Sequence, residues 1–170
     1  MSDSTYGAAR KFAESQFLEK LRKSTDSVVV ALFAVLTVAV FSQVVARYAF
    51  NNPPAWTEEL ARFCQVWIVL LASSICIRKR SHLAVDYLGP SLKPPARRLL
   101  AMLIGILMVF YSLVVTIWGI RLMAVGAMQV SPALQTNMAV IYVIFPVSGA
   151  LMVVEATLVT LDRLKAGTTA

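Results

Sequence analysis

The densest set of polar side chains in the sequence is Arg47, Tyr48, Asn51, Asn52, Trp56, Glu58, Glu59 and Arg62, with Gln65 one turn further on. Two neighbouring acids raise the question of general acid–base chemistry, which needs carboxyl groups that reach one reacting site. Glu58 and Glu59 are adjacent, and adjacent residues on a helix point about 100° apart, so they do not converge. Glu58 and Arg62 stand four apart with the acid first, the order that pairs well on a helix. The cluster therefore reads as charge pairing. Either Arg47 meets Glu58 or Glu59 inside the chain, or the charges meet another membrane subunit; both stay open on the residues alone.

Elsewhere the reactive residues are sparse. The single histidine, His82, stands four before Asp86. Two such groups are too few for a metal site, and they read as a brace within a loop. Cys64 and Cys76 form no CxxC and lie in an apolar run, as buried small hydrophobes do. A membrane redox enzyme would want exposed paired thiols, and a four-helix cytochrome would want axial ligands inside the helices. No Walker A sequence is present. These absences point away from an enzyme and imply no metal and no cofactor. A net charge of +7 invites a nucleic-acid reading, but the basic residues fill gaps between apolar runs and form no basic face.

The elements that position these residues belong to a membrane protein. The hydrophobic fraction is 58% and the mean hydropathy is +0.71, both too high for a wetted surface. Val28 to Ala46 carries no charge and nearly spans a hydrocarbon core of about 30 Å. Phe63 to Ile77 is too short alone, so its helix must begin upstream. Pro53 and Pro54 set the limit, and Thr57 is the expected N-cap with Glu58 and Glu59 in the first turn. Leu99 to Ile120 is the third run, with nothing to stop it before about Val130. Met138 to Leu161 is the fourth, interrupted by Glu155 and bent by Pro146. Ser131 and Pro132 open the short turn between them. Glu155 falls about 25 Å into its helix, near the far interface, so no acid sits at mid-membrane.

Of sixteen Lys and Arg, only Arg47, Arg62 and Arg121 flank the outer helix ends. The rest lie before Val28, between Arg78 and Arg98, or after Leu161. By the positive-inside rule both termini and the middle loop are cytoplasmic. Arg78, Lys79 and Arg80 serve as topology signal and as contacts for anionic lipid headgroups. Three segments result: a cytoplasmic amphipathic stretch 1–27, an all-α domain of four transmembrane helices 28–161, and a tail 162–170. In the first, Ala9, Phe12, Ala13, Phe17 and Leu21 fall at helical spacing. That pattern suits a helix lying on the inner leaflet, with a frayed tail as the other reading.

The run from Gln43 through Arg47-Tyr48, Asn51-Asn52-Pro53-Pro54-Ala55-Trp56-Thr57-Glu58-Glu59-Leu60-Ala61-Arg62 to Phe63 resembles the signature of one transporter family. It is the DctQ-like small membrane subunit of tripartite ATP-independent periplasmic (TRAP) transporters. His82-Leu83-Ala84-Val85-Asp86 resembles the family's next motif, and Ser131-Pro132-Ala133-Leu134 with Pro146 its third. Many relatives continue with a Gly and a Pro where this chain has Gln135-Thr136-Asn137. The resemblance implies a multi-pass protein of the bacterial inner membrane, with phospholipids around it. It also implies a large DctM-like membrane subunit and a periplasmic DctP-like solute-binding protein as partners. Uptake of an organic acid would be driven by sodium, with this subunit as non-catalytic scaffold and a contributor to docking of the binding protein. The rival class is an autonomous multidrug-type exporter acting as a homodimer, which would want an acid deep in the first helix, where there is none.

Overall fold

Each uncharged run becomes a helix because hydrocarbon offers nothing to backbone N–H and C=O groups except one another. The computed structural model describes residues 16–52, 54–79 and 94–166. Within them α1 is Gln16–Ala49, α2 Ala55–Arg78, α3 Pro94–Gly126, α4 Met138–Tyr142 and α5 Ile144–Ala166. The fourth apolar run is divided between α4 and α5, so four stretches are long and apolar enough to cross a membrane.

The helix ends depart from expectation in informative ways. α1 has 34 residues, about 51 Å at 1.5 Å per residue, and exceeds the bilayer core by several turns. From Gln16 onward the N-terminal stretch is the unbroken continuation of the first spanning helix and not a separate interfacial one. Residues 1–15, with Ala9, Phe12 and Ala13, lie outside the described residues. Leu18 is buried within the chain, while Phe17 and Leu21 of the anticipated apolar stripe are exposed.

α1 ends where Asn51 adopts a left-handed backbone, φ 53°, which turns the Asn52 N–H back to the Ala46 carbonyl at 3.3 Å. Asparagine tolerates that conformation better than most residues. α2 begins at Ala55 after an extended Pro54, two residues before the cap position expected at Thr57. Thr57 is instead fully buried in the first turn, and its hydroxyl donates to the Pro54 carbonyl at 2.7 Å. α3 stops at Gly126 and not near Val130, because Val130 pairs in extended form with Asn137 across the turn. The Asn137 amide donates to the Ala127 carbonyl, and its oxygen accepts the Ala139 N–H at 2.8 Å, ending one helix and capping the next.

Pro146 does interrupt the fourth run. The break falls at Val143, between α4 and α5, one turn before the proline that cannot donate to it. The Ile141 carbonyl at the break accepts the Trp67 indole N–H at 3.0 Å, so α2 holds the kink in place.

In packing, α1 lies on α2, while α2 and α3 both lie on α5 and scarcely touch each other. The tightest interior is at the α2–α5–α3 junction, where Ile77, Met152 and Ala156 are buried with Leu70, Met108, Val109 and Val115 against them. α3 and α5 approach closely at Gly119 and Gly149. A Cβ on Gly119 would stand 2.9 Å from the Pro146 nitrogen, and one on Gly149 2.9 Å from the Thr116 nitrogen. Phe33, Val38 and Phe41 of α1 and Ile106, Phe110 and Trp118 of α3 point outward, an arrangement that suits lipid and not water.

Candidate functional site: the charged helix ends and the polar face of α2

At the end of the molecule carrying the two tight turns, the predicted cluster does not close on itself. Glu58 and Arg62 pair at 3.1 Å, as their spacing suggested, with both side chains largely exposed. Arg47 is exposed and has no ion pair among the described residues, so of the two open readings the internal bond to Glu58 or Glu59 is not formed. Tyr48 is 84% exposed, Trp56 is half exposed, and Asn51 serves as the terminator of α1. Gln65 lies on the same exposed face of α2 as Glu58 and Arg62.

Glu59 points the other way. Its Oε2 accepts the backbone N–H groups of Ala133 at 3.0 Å and Leu134 at 2.9 Å. The two acids thus have separate jobs, as their angular separation required. Ser131 is buried at the base of the same turn, and its N–H donates to the Thr136 carbonyl at 2.9 Å. Pro132 is exposed at the tip. Gln135 is left-handed, φ 53°, a backbone that glycine adopts most readily. Glu59→Ala should free the Ala133 and Leu134 amides, and their hydrogen exchange should quicken roughly tenfold while α1 exchange stays unchanged. Glu59→Gln, which keeps an acceptor, should restore most of the protection. Unaltered exchange in the alanine variant would show that the turn holds itself.

The opposite end contains two ion pairs that sequence reasoning missed. Arg22 of α1 binds Glu155 of α5 through two parallel contacts, Nε to Oε1 and Nη2 to Oε2, each 2.6 Å. Arg78 of α2 places Nη2 at 2.9 Å from both carboxylate oxygens of Asp26 on α1. Arg22 and Asp26 are four apart, so one face of the α1 extension grips both neighbours. The available signal was Glu155, the one acid within an apolar run, which requires a cation at its own depth. Arg78 was expected to contact lipid headgroups; its side chain is 19% exposed and committed to Asp26. Lys79 is exposed at the end of α2. Arg80 and the His82–Asp86 brace lie outside the described residues. Among the described residues no three His, Cys, Asp or Glu side chains stand close enough to hold a metal.

Among the described residues the arrangement offers charge pairing, capping and an exposed polar face. Residues 23–166 match the family described as "Tripartite ATP-independent periplasmic transporters, DctQ component". A "Putative TRAP transporter small permease protein" of Haemophilus influenzae is 26% identical over 88 residues, 52% of this chain and 55% of that protein. "Sialic acid TRAP transporter small permease protein SiaQ" of Vibrio cholerae is 29% identical over 85 residues, 49% of each chain. "Isethionate TRAP transporter permease protein DctMQ" of Oleidesulfovibrio alaskensis is 30% identical over 131 residues, 74% of this chain and 20% of that one. The chain therefore spans about half the length of the two small-permease relatives and a fifth of the fused one. With the family match extending over most of its length and four membrane-length helices among the described residues, the chain belongs to the family of the DctQ component of TRAP transporters.

Proposed function

We propose that this chain is the stationary scaffold subunit of a sodium-driven importer of an organic acid in a bacterial inner membrane. Both termini are cytoplasmic, the large DctM-like subunit carries the substrate, and a periplasmic DctP-like protein delivers it. The single observation that carries the scaffold reading is the state of Glu155. It is the one acid inside an apolar run, and Arg22 holds it in a two-point bond at the end of the helices. A carrier keeps its ionisable groups near the midplane, facing a pathway. This chain spends its one candidate on joining α1 to α5. The inside position of the termini rests on the distribution of Lys and Arg. The organic-acid class rests on relatives whose names specify sialic acid and isethionate.

The test is reconstitution. Purified chain alone, in liposomes with an inward sodium gradient, should take up no organic acid. Addition of its large subunit and binding protein should give sodium-dependent uptake. Transport by the single subunit would overturn the scaffold assignment.

A further inference from the structure

Glu58, Arg62, Gln65, Val69, Ser73 and Cys76 fall within roughly 80° of arc on α2 at 3.6 residues per turn. Five of the six are polar or polarisable, and all are exposed or half-exposed. The opposite face of the same helix buries Thr57, Cys64, Leu71, Ser74 and Ile77 against the rest of the chain. A helix with a satisfied interior has no internal need for a second, polar face directed toward lipid.

Gln65 makes the difficulty acute. It lies ten residues into α2, one turn beyond the Glu58–Arg62 pair, where the helix passes from its charged end into its apolar run. Its amide makes no hydrogen bond with a described residue. Further along the stripe, α2 and α3 diverge over α5 and leave a groove of about 430 Å³. Val69, Ala72, Ser73 and Cys76 form one wall, Met108 and Tyr111 the other, with Met152 at the floor. Ser73 satisfies its hydroxyl on the Val69 carbonyl at 2.8 Å, so it presents a small, closed surface. Tyr111, 58% exposed on the far rim, has no hydrogen-bond partner for its hydroxyl among the described residues.

We propose that this face of α2 receives one transmembrane helix of the large membrane subunit, with a ridge of its side chains in the groove and a polar residue bonded to Gln65. The proposal rests on the scaffold reading and assigns the surface through which it is exercised. An acyl chain would fit the groove by volume, but it has no donor or acceptor for Gln65 or Tyr111. A second copy of this chain about a two-fold axis would set Glu58 against Glu58 and Arg62 against Arg62 along that axis. A helix of different sequence can meet the stripe with complementary charge at its end and an amide or hydroxyl opposite Gln65.

The experiment is photo-crosslinking in the source cell's own membranes. p-Benzoyl-phenylalanine is placed singly at Gln65, Val69 or Ser73, with Val38 and Ile106 as lipid-facing controls. Adducts from the three α2 positions should contain peptides of a transmembrane helix of the large subunit, and the controls should not. In parallel, Ala72→Trp should fill the groove and lower co-purification of the large subunit roughly tenfold or more, with the variant's abundance in the membrane unchanged. Val38→Trp should leave co-purification intact. If the large subunit co-purifies but crosslinks through α1 or the far side of α3, this assignment falls and the scaffold reading stands. Lipid adducts alone from the groove, adducts between two copies of this chain, or normal co-purification with Ala72→Trp would also overturn it. If no large subunit co-purifies with the unaltered chain, the scaffold reading fails together with it.

Discussion

Replacing Arg22 by alanine is expected to lower the melting temperature of the detergent-solubilised chain by roughly 10 °C, more than Glu155→Ala does. Breaking a buried pair by deleting one partner costs about 3–5 kcal/mol, because the other charge is stranded. In a chain of this size each kcal/mol is worth about 2–4 °C. The asymmetry follows from where each partner sits. The Glu155 side chain is 8% exposed and lies within an apolar run, so without Arg22 it has nowhere to go. The Arg22 side chain is 28% exposed, and its long stem lets the guanidinium reach headgroup phosphates when the acid is removed. Arg22→Ala combined with Glu155→Leu should recover most of the loss, since a stranded acid no longer exists. Equal losses below about 1 kcal/mol for both single variants would place the pair among solvated surface bridges and sink this account.

Gly149→Ala is expected to cost near the upper end of the ~1–3 kcal/mol typical of an overfilled interior. A Cβ there would stand 3.0 Å from the Thr116 Cα as well as 2.9 Å from its nitrogen, and helix backbone cannot step aside. Gly119→Ala meets the same obstacle from the facing helix, at the Phe145 carbonyl carbon 3.0 Å away. Gly105→Ala should be milder, because its Cβ meets side-chain atoms alone, Oγ1 and Cγ2 of Thr160 at 2.5 Å, and no backbone of the facing helix. Thermal melting of the three variants checks the order. A Gly105 variant less stable than the other two would show that α3 and α5 slide apart easily and that backbone contact is not what sets their spacing.

The parts of this fold that were legible in the sequence are those governed by neighbours in the chain. Long apolar runs, the second extended upstream to reach a bilayer's width, marked four spans, and Pro146 marked the break that appears at Val143. The i, i+4 pair Glu58–Arg62 followed from helical spacing. The rest was hidden because it depends on which helices meet. Arg22 and Glu155 are 133 residues apart, and Trp67 reaches Ile141 across 74. No periodicity connects such residues. Arg22 looked like one more topology charge because its partner is supplied by the last helix. Glu59 looked like a twin of Glu58 until the turn at Ala133 and Leu134 came against it. The start of α2 was misjudged for a different reason. Threonine is a good cap, but Pro54 had already set an extended backbone there, and Thr57 was used to fill the first turn.

The sparse packing of α1 bears on how the protein is made. Only 6% of its most apolar window is buried within the chain, against 33% for the fourth run. Lipid is therefore its principal solvent. Spans of a membrane protein become stable one by one and associate afterwards. α1 can settle in the bilayer while the remainder is still being synthesised, because almost none of its burial depends on later residues. α5 is the reverse case. It arrives after the others with a proline, an acid and two close glycines' worth of fit to find, and each of those needs a helix already in position. Order of emergence and order of dependence coincide, and the Arg22–Glu155 bond becomes possible only when the last span is in place.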